Sequence, residues 1–260
     1  LNLTDILTRL SKGEATVEDA LRDISMFSVE SIEENLVKID TGRDIRKFTP
    51  EVILSEGKNT KDIIHIVLTT LTKKDVVLVS RIRKHDFSQL SSALKRKRLK
   101  VEVGRRSSTM LVTKDHPYQA NDSKAKIGIL TAGTADIGIA EEARLIAKAM
   151  GCKTLLSYDV GIAGIHRLFP MLKEMILQDV DALVVIAGME GALPSVVSSL
   201  VNIPVIAVPT SNGYGFGSNG TAALGTMLQS CTLGMAVVNI DNGIGAGAFA
   251  ATISLRRKRI

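Results

Sequence analysis

Five glycine-bearing segments in the second half of this 260-residue chain gather hydroxyls, amides, carboxylates and a cationic pair at the ends of short apolar runs. The first, 131–136, offers Thr131, Gly133, Thr134 and Asp136 ahead of an amphipathic stretch. Free N–H groups and hydroxyls at a helix start suit phosphate. Asp136 reads either as the N-cap of that helix or as an acceptor for a ribose hydroxyl. The segment is neither a Walker loop, which ends in Gly-Lys-Ser/Thr, nor a G-x-G-x-x-G dinucleotide fingerprint. The second, 159–167, joins Asp159 and Gly164 to His166 and Arg167, a pair able to hold phosphate or simply to lie on a surface. In the third, 187–195, Gly188 and Met189 precede Glu190, a single carboxyl in apolar company. Such a group retains a proton readily and can carry one in a reaction. The plainer reading is that it caps the helix with Pro194 in its first turn. The fourth, 209–220, is glycine-rich, contains Ser211 and Gly213, and can approach a ligand with bare backbone. The fifth, 239–247, clusters Asn239, Asp241 and Asn242.

Cys231 lies outside these segments, just before the last apolar run. A lone cysteine is either a small buried hydrophobe or a nucleophile, and Cys152 reads as the former. The four histidines have no metal-ligand spacing, and no serine elbow motif is present.

The elements that position these groups follow from a pattern repeated five times: an aliphatic run, a glycine-rich turn, an amphipathic helix. Runs at 127–130, 154–156, 183–186, 205–208 and 236–239 predict a parallel sheet. Ligands of open α/β sheets bind beyond the carboxyl ends of the strands, so the five segments are expected to converge. Only 4 of the 21 glycines precede residue 125, and 116–123 has turn composition, which divides the chain into domains 1–120 and 121–260. In the first domain, helices are expected over 3–10, 17–24, from a Thr60 cap through Leu71, and over 88–94, with strands at 76–79 and 100–103. That makes a small mixed α/β layer.

The net charge of +6 raises the question of nucleic acid. Residues 1–124 hold 23 of 33 Lys+Arg and 18 of 27 Asp+Glu, a net of +5, and the remainder +1. With no tryptophan and 3% aromatics, stacking platforms are scarce, so no nucleic-acid partner is expected. The clusters 95–98 and Arg105-Arg106 read as solvated faces or as contacts for a small anion. The longest apolar stretch, 182–208, is interrupted by Glu190, Pro194 and Pro204, so no membrane span is expected. Two cysteines and no apparent leader make the cytoplasm the expected compartment.

The strings 188–197, 159–167, 209–215 and 238–243, read together, closely resemble the LarB family of pyridinium-3,5-biscarboxylic acid mononucleotide synthases. These open the nickel-pincer nucleotide pathway, and their C-terminal domain is related to PurE, the aminoimidazole ribonucleotide (AIR) carboxylases. The resemblance extends to 40–58, where Lys47-Phe48-Thr49-Pro50 departs from the family's form and Arg43 and Arg46 would serve as anion contacts. It implies a flavodoxin-like three-layer α/β domain, with a parallel sheet, behind the smaller N-terminal domain.

By the same resemblance the substrate is nicotinic acid adenine dinucleotide. Carbon dioxide or bicarbonate is the co-substrate, Cys231 is the nucleophile and Glu190 the proton acceptor; hydrolysing the anhydride would be helped by a divalent ion, for which Mg²⁺ is the usual choice, although no ligand set for it is legible. Carbon dioxide and a pyridinium ring are both electrophiles and will not join directly. A thiolate adding at C4 would make C5 electron-rich, which is covalent catalysis by inversion of polarity. A homo-oligomer, octameric by analogy, is implied, with the Ala/Gly-rich helices at 221–229 and 245–255 as packing surfaces. Two rivals remain. A true AIR carboxylase or mutase would carry a histidine where this chain has Ala192, before Leu193-Pro194. A non-catalytic nucleotide sensor would bind ligand without turnover.

Overall fold

The structure, a computed structural model, describes residues 3–25, 29–32, 37–40, 49–114 and 124–257. The turn-like boundary at 116–123, with Arg43 and Arg46, lies outside the described residues.

The second half is a five-stranded parallel sheet of β7 (Lys126–Thr131), β8 (Lys153–Ser157), β9 (Ala182–Ala187), β10 (Val205–Pro209) and β11 (Met235–Val237), in the order β11-β10-β9-β7-β8. This is the flavodoxin-like order, with its topological switch point between β7 and β9. The strands are unbroken apolar runs because both faces are covered. Val184 and Ile186 face helices α5 (Ile137–Ala149) and α9 (Gly243–Arg257), while Leu183, Val185 and Ala187 face α6 (Leu168–Leu177), α7 (Leu193–Leu200) and α8 (Thr221–Leu228).

In the first half, α1 (Leu3–Ser11) and α2 (Val17–Ser25) precede an antiparallel ladder, β1 (Val29–Ile32) with β2 (Val37–Asp40). A mixed sheet then forms from β3 (Glu51–Leu54), β4 (Val76–Ser80), β5 (Lys100–Val103) and β6 (Met110–Thr113), ordered β3-β4-β6-β5. Helices α3 (Thr60–Lys73) and α4 (Phe87–Arg96) cover one of its faces through Ile63, Val67, Leu71, Leu90 and Leu94. Its other face sends Leu78 and Leu111 into the core of the second half.

The expected small domain is therefore present, with corrections. Asn59, not Thr60, caps α3: its side chain accepts from the Asp62 N–H, while the Thr60 hydroxyl donates to Asp86. Strands β3 and β6 were not legible as alternation; β6 is buried along its whole length. The last strand ends at Val237, although the Val238 N–H still reaches the Ala207 carbonyl at 3.1 Å.

The Ala/Gly-rich character of α9 has an explanation inside the chain. A Cβ on Gly243 would collide with the Ile139 carbonyl, and one on Gly247 with the Ala143 carbonyl, so these positions let α9 lie directly on α5. That stripe is thus covered within the protomer. Overpacking a close contact costs about 1–3 kcal/mol, so Gly247→Val is expected to lower the urea-unfolding free energy by that much. Gly225, on α8, has open space around it. Gly225→Ala should raise stability by about 0.5–1 kcal/mol through helix propensity alone. Equal effects of the two substitutions would contradict this packing.

Candidate active site at the strand ends

The segments that follow β7, β8, β9 and β10 enclose a cleft of about 520 Å³ at the carboxyl ends of the strands. They stay close because glycines remove the side chains that would hold them apart. A Cβ on Gly188 would overlap the Asn212 carbonyl, and one on Gly161 would press on the Ala132 carbonyl at 2.6 Å. Asp159, Met189 and Asp241 adopt left-handed backbone, with φ of 60°, 50° and 56°. For residues other than glycine this costs of order 1–2 kcal/mol each, and such strain gathers at functional sites.

Asp136 ties the segments together. Its Oδ1 accepts from the Thr210 hydroxyl at 2.7 Å and from Asn212 Nδ2 at 3.2 Å, and its Oδ2 accepts from the Gly133 N–H at 3.1 Å. Burial holds its carboxyl above the usual carboxylate range, against the pull of these three donors, with the Asp241 charge adding to the rise. Asp136 does occupy the N-cap position of α5, but its side chain makes no capping bond.

Of the residues singled out from sequence, Gly133, Asp136, Gly188, Met189, Glu190 and Gly213 line this cleft. Others support it. The buried Thr131 hydroxyl accepts from the Asp159 N–H, and Asp159 is ion-paired with Arg167, whose Nε also donates to the Gly164 carbonyl. Thr134 gives its carbonyl to Arg106. His166 is exposed and does not line the cleft. Asn239 and Asn242 turn their oxygens to the N–H groups of Ile240 and Gly245.

Two expectations need restating. Glu190 is exposed at the cleft, so this chain does not supply the apolar enclosure anticipated for it, and the N-cap of α7 is Ala192. Cys231 is exposed on the segment between α8 and β11 and does not line the cleft. The adjacent Ser230 hydroxyl accepts from Ser195 at 2.8 Å, two residues beyond Leu193 in the cleft wall. Cys152 is buried, and desolvation pushes its thiol up to about 12, as suits an inert core residue.

Comparison with known proteins bears on what this cleft does. Residues 126–259 match the AIR carboxylase family, and residues 30–115 match the LarB/PurE-like N-terminal domain. The chain belongs to the AIR carboxylase family, in its LarB form. An uncharacterized protein of Methanocaldococcus jannaschii is 44% identical over 256 residues, 97% of both chains. The N5-carboxyaminoimidazole ribonucleotide mutase of the same organism is 33% identical over 129 residues, covering 49% of this chain and 77% of that protein. A probable mutase of the same kind from Methanothermobacter thermautotrophicus is 30% identical over 134 residues, covering 50% and 38%.

The LarB-type N-terminal sheet meets the carboxylase domain across α5. Arg144 bonds Glu102 at 2.7 Å and Glu141 at 2.8 Å, and Glu141 also accepts from Tyr158 and the Arg105 N–H. Beside this contact lies a second cavity, of about 390 Å³, which shares Ala135 and Asn212 with the cleft. It is lined by Arg81, Arg106, Ser107, Ser108 and Glu142, none of them among the site residues chosen from sequence, together with Ser211 and Asp241, which were. The only signal for these was the Arg105-Arg106 cluster.

Among the described residues no helix is long and apolar enough to cross a membrane. No group of three or more His, Cys, Asp and Glu side chains stands together there as a metal cage. The Mg²⁺ expected for anhydride hydrolysis would find no such cage among the described residues. It would rely on ligand phosphates, as Mg²⁺ commonly does.

Glu142 supplies a test. Burial raises its carboxyl to about 7, opposed by the Thr109 hydrogen bond and the Arg81 charge and reinforced by Asp241. Between the ordinary carboxylate range and about pH 7 the folded protein keeps a proton that the unfolded chain releases, so stability falls as pH rises through that window. Glu142→Gln is expected to flatten this decline in urea unfolding followed against pH. An unchanged slope would mean that Glu142 ionises freely.

Proposed function

We propose that this chain carboxylates the pyridinium ring of nicotinic acid adenine dinucleotide at C5 and hydrolyses the phosphoanhydride. The products are pyridinium-3,5-biscarboxylic acid mononucleotide and AMP, which begins nickel-pincer nucleotide synthesis. The observation that carries the reading is the pairing of a LarB/PurE-like N-terminal domain with an AIR carboxylase domain in one chain. The mutases match over only about half of this chain. The cleft is consistent with the chemistry: its apolar floor accepts a flat ring, and Glu190 stands at its edge.

The sequence of bonds is as follows. The Cys231 thiolate adds to C4 of the pyridinium, and the ring becomes a neutral dihydropyridine. C5 of this enamine attacks carbon dioxide and gains a carboxylate. Glu190 removes the proton from C5, and the C4–S bond breaks, returning its electron pair to sulfur and aromaticity to the ring. Water then splits the anhydride and releases AMP.

Cys231 does not line its own cleft, and in this reading the thiol comes from a neighbouring copy. Tyr214, Phe216, Leu228 and Leu233 are exposed and are candidates for burial by one. The oligomer is proposed as an octamer.

A second reading, AIR carboxylase or mutase, has the named relatives in its favour. The histidine expected of that chemistry is replaced by Ala192. Mass spectrometry of reaction mixtures decides between them. Nicotinic acid adenine dinucleotide with bicarbonate should yield the dicarboxylated mononucleotide and AMP, and Cys231→Ala should abolish product while binding persists. Turnover of aminoimidazole ribonucleotide alone would establish the second reading instead. Light scattering at micromolar concentration should give a multiple of the protomer mass; a monomer would remove the source proposed for the thiol.

A further inference from the structure

Between α8 and β11 the chain crosses residues 229–234 without helix or strand, and Cys231 stands exposed among them. Connections of this kind are ordinarily the mobile parts of a fold. A thiol that must reach C4 of a ring in another copy has to arrive at one place, and a misplacement of about 1 Å can cost on the order of a hundredfold in rate.

The segment is held by α7. The Ser195 hydroxyl donates to Ser230 Oγ at 2.8 Å, and the Ser198 hydroxyl donates to the Leu233 carbonyl at 2.9 Å. The two serines are a helical turn apart and therefore share one face of α7. Their acceptors bracket Cys231. Ser230 Oγ also lies 2.8 Å from Thr232 Oγ1 and accepts from the Thr232 N–H at 3.4 Å, so the residues on both sides of the cysteine are tied into one chain of hydroxyls. Past the bracket, Gly234 turns left-handed at φ 86° and its carbonyl takes the Val205 N–H at 3.0 Å, which returns the chain to the sheet.

Ser199, the third serine of α7, gives the contrast. It is exposed and returns its hydroxyl to the Val196 carbonyl of its own helix, as helical serines commonly do. Ser195 and Ser198 direct theirs out of the helix instead. The same helix starts in the cleft wall, where Ala192 and Leu193 line the cavity. One rigid element therefore carries both a wall of the cleft and the support of the Cys231 segment.

We propose that Ser195 and Ser198 are positioning residues for the reaction: two hydroxyls on α7 clamp the chain on either side of Cys231 and fix where its thiol is presented to the neighbouring copy. The inference rests on the carboxylase reading above, in which Cys231 is the nucleophile.

Alkylation by iodoacetamide, followed by mass spectrometry of the intact full chain, and carboxylation kinetics test it together. Cys152 is buried, so Cys231 is the thiol that reacts. Ser195→Ala/Ser198→Ala improves the helix propensity of α7, so the fold should persist. Releasing the segment should speed alkylation of the ligand-free protein by about threefold or more, because a loosened loop samples more open positions. In the same variant kcat should fall by about tenfold or more with KM within about twofold, the split expected when a nucleophile is misplaced and the ligand's own contacts are intact. Ser195→Thr keeps the hydroxyl and should remain near wild type in both measurements. Ser230→Ala should act like Ser195→Ala, and the pair combined should add little, since each removes the same bond. Should the double variant melt early, these single variants carry the test.

Unchanged kcat in the folded variants, with product from wild type, discards the clamp and keeps the carboxylase. Ser195→Thr as impaired as Ser195→Ala overturns the role of the hydroxyl. Faster alkylation in the variants with no product from wild type keeps the clamp on the segment and discards the carboxylase.

Discussion

Helix α5 is packed from both sides, and the architecture follows from the demands this makes on its thirteen residues. One flank meets the parallel sheet and the glycine stripe of α9, and the other lies under the small mixed sheet through Leu78 and Leu111. A helix covered this way would be expected to be apolar all round. Instead it carries Glu141 and Glu142, both buried. The chain resolves the conflict differently at each. Glu141 receives Arg144, Tyr158 and a backbone N–H, donors that together hold its carboxyl below the usual range despite burial. Glu142 receives chiefly one hydroxyl and retains its proton instead. A carboxyl held below the usual range thus sits beside one raised to about 7 where the two domains touch.

The same helix fixes the functional geometry. Its N-terminus carries Asp136 to the junction of three segments, and the turn before it receives Arg106 from the small domain. Cleft and interdomain cavity consequently share a wall, one weakly polar and free of cations, the other rich in them. Membership of the AIR carboxylase family points to carboxylase- or mutase-related chemistry at the first of these, and the LarB-type domain builds part of the second.

Much of this was legible in the sequence because the parallel strands are continuous apolar runs punctuated by glycine, and that punctuation also marks the loops where ligands bind. The small domain was harder. Met110–Thr113 is four residues long and follows a polar turn, too little for any period to register, and Leu111 is buried in the core shared with α5 of the other domain. Within the site, sequence located the segments but not the direction of each side chain. Asp159 and Arg167 answer each other, while Asn212 and Tyr214 line the cleft from a loop of which the sequence singled out Ser211 and Gly213. Arg81 and Arg106 belong to different turns of a different domain, and only docking of that domain brings them to the strand ends.

The covered outer flank of α5 sets a boundary on how such proteins are assembled from parts. The mutases match about half of this chain, and a protein built on the carboxylase half alone has no small sheet to lay over that flank. It must therefore replace the apolar contacts of Leu145 and give Arg144 a partner other than Glu102, or leave a hydrophobic seam open to solvent. Separating the two halves accordingly calls for a coordinated rewriting of one helix surface, and a simple cut between modules would leave an adhesive face.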